Sequence, residues 1–173
     1  ILGSALTAVD VIAALARQGH EASIHSISRR GLLPMDQNPG PELETMWVRF
    51  MRSPPNFMAK HGKPHKLKYI LRCLHKDIKA LQIEGKTWHG AFDDLRDSAR
   101  TLWPSLPLEE QRRFIRHLKP WYETRRFRIA PQIKAILDQE KSAGRLRVSA
   151  ARVVVARPQP KNEISVTLNP RGT

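Results

Sequence analysis

The sequence has one cysteine, Cys73, among 173 residues, so an internal disulfide and a four-thiolate zinc site are both excluded. No apolar stretch approaches the roughly 18 residues that cross a bilayer as a helix. The N-terminus has neither the basic region nor the cleavage pattern of a secretory signal. These absences make a soluble, cytoplasmic protein the expectation. Acidic residues are scarce too: 16 Asp and Glu stand against 30 Lys and Arg, a formal net charge of +14. The surface is therefore expected to attract phosphates, nucleic acid or acidic lipid, and with no spanning stretch no membrane partner is expected. Aromatic residues make up only 6%, yet 40% hydrophobic and 27% charged residues are ordinary for a globular chain. Wholesale disorder is thus excluded in spite of 13 prolines. There is no G-x-S-x-G elbow and no P-loop lysine after Gly3, so serine-hydrolase and ATPase readings lack parts they require.

Hydrophobic periodicity divides the chain into three. Residues 1–34 read as a βαβ nucleotide-binding half-motif. The apolar start ends at Leu2, Gly3-Ser4-Ala5 form a small-residue turn, and Leu6, Val9, Ile12, Ala13 and Leu15 repeat at helical spacing until Gly19. Ser23 to Ser28 alternate as a strand, and the short crossover implies that it runs parallel to the first. Opening on Ile1 rather than Met, as though a strand were cut just before its turn, the chain is expected to be part of a longer protein.

Over 35–143 the pattern becomes helical, with five apolar stripes at Leu43 to Met51, Leu67 to Leu81, Trp88 to Trp103, Leu108 to Leu118 and Ile129 to Leu137. They end at Pro54-Pro55, Gly85, Pro104, Pro120 and Gly144. Within 144–173, Leu146 to Val155 and Ile164 to Leu168 read as return strands joined through Arg157 to Asn162. The expected fold is α/β, a partial Rossmann-like doubly wound sheet with a large helical insertion.

Gly3-x-Ala5-x-x-Ala8 is a variant of the G-x-G-x-x-G/A turn, whose small residues let a pyrophosphate approach a helix N-terminus. Ala5 stands where the middle glycine is usual, and its methyl group occupies part of that approach. Gly3, Ser4, Ala5 and Thr7 are the candidate pyrophosphate residues, while Asp10 is read as opposing the positive end of the helix. Arg29 and Arg30 follow the second strand, Arg29 standing 21 positions beyond Ala8, where the ribose of a dinucleotide is selected. Guanidinium groups there complement the 2′-phosphate of NADP, where an acid would select NAD.

The stretches Gly3-Ser4-Ala5-Leu6-Thr7-Ala8-Val9-Asp10, Gly19-His20 and Ile27-Ser28-Arg29-Arg30-Gly31-Leu32-Leu33-Pro34 resemble the second nucleotide-binding segment of a bacterial FAD/NAD(P)-binding flavoprotein oxidoreductase family. Phe114 to Leu118, Pro120-Trp121, Arg125 to Pro131 and Gly144-Arg145-Leu146 resemble the helical region and return strand of that family. The resemblance implies a monooxygenase-like parent in which NADPH delivers hydride to FAD, the flavin being held mostly by an earlier Gly-rich turn. It also implies a small-molecule substrate, and it leaves the catalytic residues unassigned.

A rival reading is a basic interaction module. Between Arg49 and Lys76 there are eight Lys and Arg and no acid, with Trp47, Phe50, Phe57 and Tyr69 in or beside the run. Arg112 to Arg128 add seven cations against Glu123 alone. Such patches suit nucleic acid or an acidic partner, although Trp47 and Phe50 fall on an apolar stripe. His61 and His65 have helical metal-ligand spacing, but Gly62 and Pro64 break the helix between them, so exposed loop histidines are expected and no metal. Asp93, Asp94 and Asp97 are expected to pair with Arg96 and Arg100. His117 reads either as a proton donor near a cofactor or as a packed, hydrogen-bonded side chain, and Cys73 as a small core residue.

Overall fold

The structure, a computed structural model, describes residues 1–37 and 46–171, except the side chains of Met46, Trp47 and Phe50. Of the apolar face expected from Leu43, Met46, Trp47, Phe50 and Met51, the first four side chains lie outside the described residues, and Met51 is exposed rather than packed. The fold is mixed α/β. In chain order the elements are α1 (Leu6–Arg17), β1 (Ile24–Ser28), α2 (Met46–Met51), α3 (Asn56–His61), α4 (Leu67–Ile83), α5 (His89–Ser105), α6 (Leu108–Arg113), a π-helical turn (Phe114–Leu118), α7 (Lys119–Arg126), α8 (Pro131–Ser142), β2 (Leu146–Gln159) and β3 (Glu163–Pro170). Among the described residues no helix is long and apolar enough to cross a membrane. The chain forms two compact units, Ile1–Asp36 with Pro120–Thr173, and Gln37–Lys119.

The first unit is built on an open sheet of order β1-β2-β3, parallel between β1 and β2 and antiparallel between β2 and β3. The expected strand before α1 is reduced to an isolated parallel bridge of Leu2 to Ile27, which brings residues on either side of α1 side by side. Alternation along the strands turns Ile24 of β1 and Leu146 and Val148 of β2 to one face. There they form a core with Val9 and Ile12 of α1, Ile129, and Leu137 of α8. Val148 is only partly buried, and each of the other, buried aliphatic side chains contributes about 1.5–3 kcal/mol. Arg147, on the opposite face of β2, is exposed.

Several expected boundaries move. Helix α8 packs with α1 and the sheet, so it belongs to the first unit, and the helical grouping ends at Lys119 rather than 143. Ile129 is not on that helix: it bridges Asp36, and α8 opens at Pro131, a residue favoured at a first helical position because its missing N–H has no partner there. Pro120 stops nothing, since it stands in the first turn of α7 directly after the π-helical turn. β2 runs to Gln159, through the segment expected as a connection. Pro158 is tolerated because this part of β2 pairs only with β3, which leaves an outer edge where no N–H is required. The turn itself is Pro160–Asn162, with Lys161 and Asn162 both at positive φ.

The second unit is helical over its described residues. Its core gathers Phe57 of α3, Leu67 and Ile70 of α4, Leu95 and Leu102 of α5, and Leu106, with Cys73 packed against them. Buried Glu110 of α6 accepts the Leu67 N–H at 2.7 Å and an Arg113 N–H at 2.8 Å. A carboxylate thus caps the start of α4 from a distant helix, and this hydrogen bond, with Arg113 assisting, holds its pKa below the ordinary value.

Candidate nucleotide-binding site

The site begins at Gly3, whose φ of +112° is open to glycine and strained for any side chain. Its N–H donates to the Ile27 carbonyl at 2.8 Å, and its own carbonyl accepts from Ser26 Oγ at 2.8 Å. Ser26 is fully buried, so this bond ties the turn to the middle of β1 from inside. Ser4 Oγ donates to the Leu32 carbonyl at 2.5 Å and lies 2.8 Å from Ser28 Oγ, which accepts the Gly31 N–H at 3.0 Å. Gly31 has φ +60°, and a Cβ there would stand 2.9 Å from the Ala150 backbone nitrogen. The Gly3 turn, the end of β1 and the loop after it are therefore one hydrogen-bonded assembly seated against β2.

Ala5 is the N-cap of α1 and supplies no side-chain cap. The first N–H groups of α1 thus have neither an acceptor within the helix nor a side-chain cap, at a positive dipole end. Ala5 and Thr7 are exposed at this end, while Ala8 is buried where the third glycine of the motif would press the helix onto the sheet. Asp10 lies beyond the first turn, which holds no acid, so it does not play the part expected of it. Ser4 is buried with its hydroxyl engaged internally, so its side chain shapes the turn. Arg29 and Arg30 are exposed immediately after Ser28.

Ser26, Ser28 and Gly31 are positioning residues that the sequence did not single out. The available signal was the small side chains at alternate, inward positions of β1, which leave room for the turn. On the other face of β1, His25 Nε2 lies 2.7 Å from Ser149 Oγ. Burial, and then the nearby Arg147 charge, lower the His25 pKa. Arg145 binds Glu140 through two bonds, of 2.8 and 2.7 Å, fixing the passage from α8 into β2.

The remaining candidates separate cleanly. Arg49 pairs with Asp97 at 2.8 Å and Asp93 at 3.6 Å, and Lys60 with Asp94 at 3.1 Å, so the acidic cluster joins α2 and α3 to α5 in addition to pairing with Arg96. His61 is no loop histidine: it ends α3, half-buried, with Nε2 2.9 Å from Asp77. His65 is exposed. No three-residue metal cluster occurs among the described residues. His117 is exposed, so it is not a packed side chain. Comparison with protein-family models, with curated proteins and with solved structures found no match to this chain.

Proposed function

We propose that the Gly3 turn and the loop after β1 form the NADP-binding side of an FAD-dependent oxidoreductase in which NADPH reduces the flavin. The observation that carries this reading is the contact of Ser4 with Ser28. It holds an uncapped helix N-terminus beside the strand end from which Arg29 and Arg30 follow. A pyrophosphate suits the free N–H groups at the start of α1, with Gly3, Ala5 and Thr7 presenting little bulk and one hydroxyl. Arg29 and Arg30 suit a ribose 2′-phosphate through charge-assisted bonds. The reading extends the parallel β1–β2 pairing to a doubly wound sheet, whose crevice lies at the carboxyl ends of its strands. When bound, the nicotinamide supplies a hydride and the flavin accepts it, while the protein contributes orientation and electrostatics.

The test is calorimetric titration with NADPH and NADH. Arg29→Ala with Arg30→Ala is expected to weaken NADPH at least tenfold and to leave NADH within about twofold, since each lost charged bond is worth about 1.5–3 kcal/mol. Equal affinities for both nucleotides before and after the substitutions would remove the selector role. A yellow protein with flavin absorption would support the oxidoreductase assignment independently.

A further inference from the structure

Helix α4 starts against its own electrostatics. Lys66 is its N-cap, Lys68 lies in its first turn, Lys63 and His65 come just before, and the first turn holds no acid. Cations at the positive end of a helix dipole are unfavourable, and Glu110 answers a single N–H there. A local conflict of this kind marks a position shaped by something other than stability. From that end the charge continues down one face: Lys68, Arg72, Lys76 and Lys79 recur at three or four residues and all are exposed. Their spacing of about 4.5–6 Å along the axis makes a cationic rail about 17 Å long. Arg49 and Lys60 are neutralised by Asp93, Asp94 and Asp97, but among the described residues no carboxylate is paired with Lys68, Lys76 or Lys79.

At the head of the rail, Tyr69 is 55% exposed, and the Arg72 guanidinium carbon lies 5.4 Å from its ring centre. With His61, Lys63, Pro64, His65 and Lys66, Tyr69 lines an open cleft of about 390 Å³. A cationic track joined to an exposed ring is the arrangement that holds a phosphate backbone and stacks a base. A lipid surface suits it poorly, because Leu67 and Ile70 on the apolar side of α4 are buried in the core. An acidic peptide would have no use for the ring.

We propose that single-stranded nucleic acid binds along α4, its phosphates on Lys68, Arg72, Lys76 and Lys79 and one base in the cleft against Tyr69. The test is fluorescence anisotropy with a labelled mixed-sequence 12-nucleotide strand, as DNA and as RNA, across a salt series. Combining Lys68→Ala, Arg72→Ala, Lys76→Ala and Lys79→Ala is expected to weaken binding at least tenfold. It should also flatten the plot of log affinity against log salt by about 3, from roughly 0.7 per phosphate contact. Tyr69→Ala alone is expected to lose at least about fivefold, the low end of one base stack. A charge-matched control, Arg152→Ala, Arg157→Ala, Lys161→Ala and Arg171→Ala, also at exposed positions, should stay within about twofold of the parent. An equal loss in both quadruple variants would overturn the proposal, as would indifference to Tyr69→Ala or equally tight binding of phosphatidylserine vesicles or polyglutamate.

Discussion

Gly31→Ala probes the seat of the candidate site, and its effect separates into two parts. The first is conformational: an alanine at φ +60° brings its Cβ against its own carbonyl, at about 1–2 kcal/mol. Reduced freedom of the unfolded chain returns about 0.4–1 kcal/mol of this. The second is steric. The new methyl would stand 2.9 Å from Ala150 N and 3.0 Å from Ser149 C. Neither atom yields easily, because both belong to β2 within its parallel pairing to β1. Overpacking against such a wall costs about 1–3 kcal/mol. Gly19 supplies the control: its φ is +75°, and a Cβ there meets nothing within 4 Å, so Gly19→Ala carries the first part alone. The expected losses are about 1 kcal/mol for Gly19→Ala and about 2–4 kcal/mol for Gly31→Ala. At a urea m-value near 2 kcal/mol per molar, the two midpoints should stand about 0.5–1.5 M apart, read by far-UV circular dichroism. Equal midpoints would refute the close approach of the loop to β2, and with it the seat of Arg29 and Arg30.

Two further outcomes concern the second unit. Phe57 is fully buried, so Phe57→Ala should lose about 3–5 kcal/mol, seen as an early unfolding transition. Amide protection in Ile1–Asp36 should survive it if the two units fold separately. Glu110 has a folded pKa below its ordinary 4.5, first because it accepts the Leu67 N–H. The stability it contributes is therefore full above pH about 5 and falls as the pH drops through the folded value. Glu110→Gln should lower the melting temperature at pH 7 and shrink the further drop between pH 5 and pH 3. An unchanged acid limb would show that the cap does not titrate with folding.

How far the sequence discloses this molecule depends on the length scale of each signal. α1 and α4 are long enough for several turns of apolar repeat, and both are legible. α3 has six residues and one buried side chain, Phe57, so no period develops after Pro54-Pro55. Pro120 and Pro158 read as breakers because the rule for proline depends on which N–H is needed. Neither the first turn of α7 nor the outer edge of the β2–β3 hairpin needs one. Gly3 was legible for the opposite reason, since its turn demands a positive φ and only glycine meets that demand without strain. Ser26 and Ser28 stayed hidden because a buried serine resembles a weak strand residue until its acceptor is known. For Ser26 that acceptor, the Gly3 carbonyl, is 23 residues away.

Charge shows the same division between sign and address. A net +14 predicts an anionic partner without saying which cations meet it, because ion pairs between distant segments leave no periodic trace. Arg49 and Lys60 belong to the acid-free run, yet both are held by carboxylates of α5 more than thirty residues away. Others such as Arg152 and Arg157 are exposed elsewhere, but the exposed cations assigned to ligands fall into separate places, Arg29 and Arg30 after β1 and the rail along α4. They lie in different units and would serve different ligands, a dinucleotide phosphate and a strand of nucleic acid. Removing the α4 cations should therefore leave NADPH affinity within about twofold, because none of them belongs to the Gly3 turn or to the loop after β1. A parallel loss of both affinities would mean that a single diffuse field governs them, and neither address would stand.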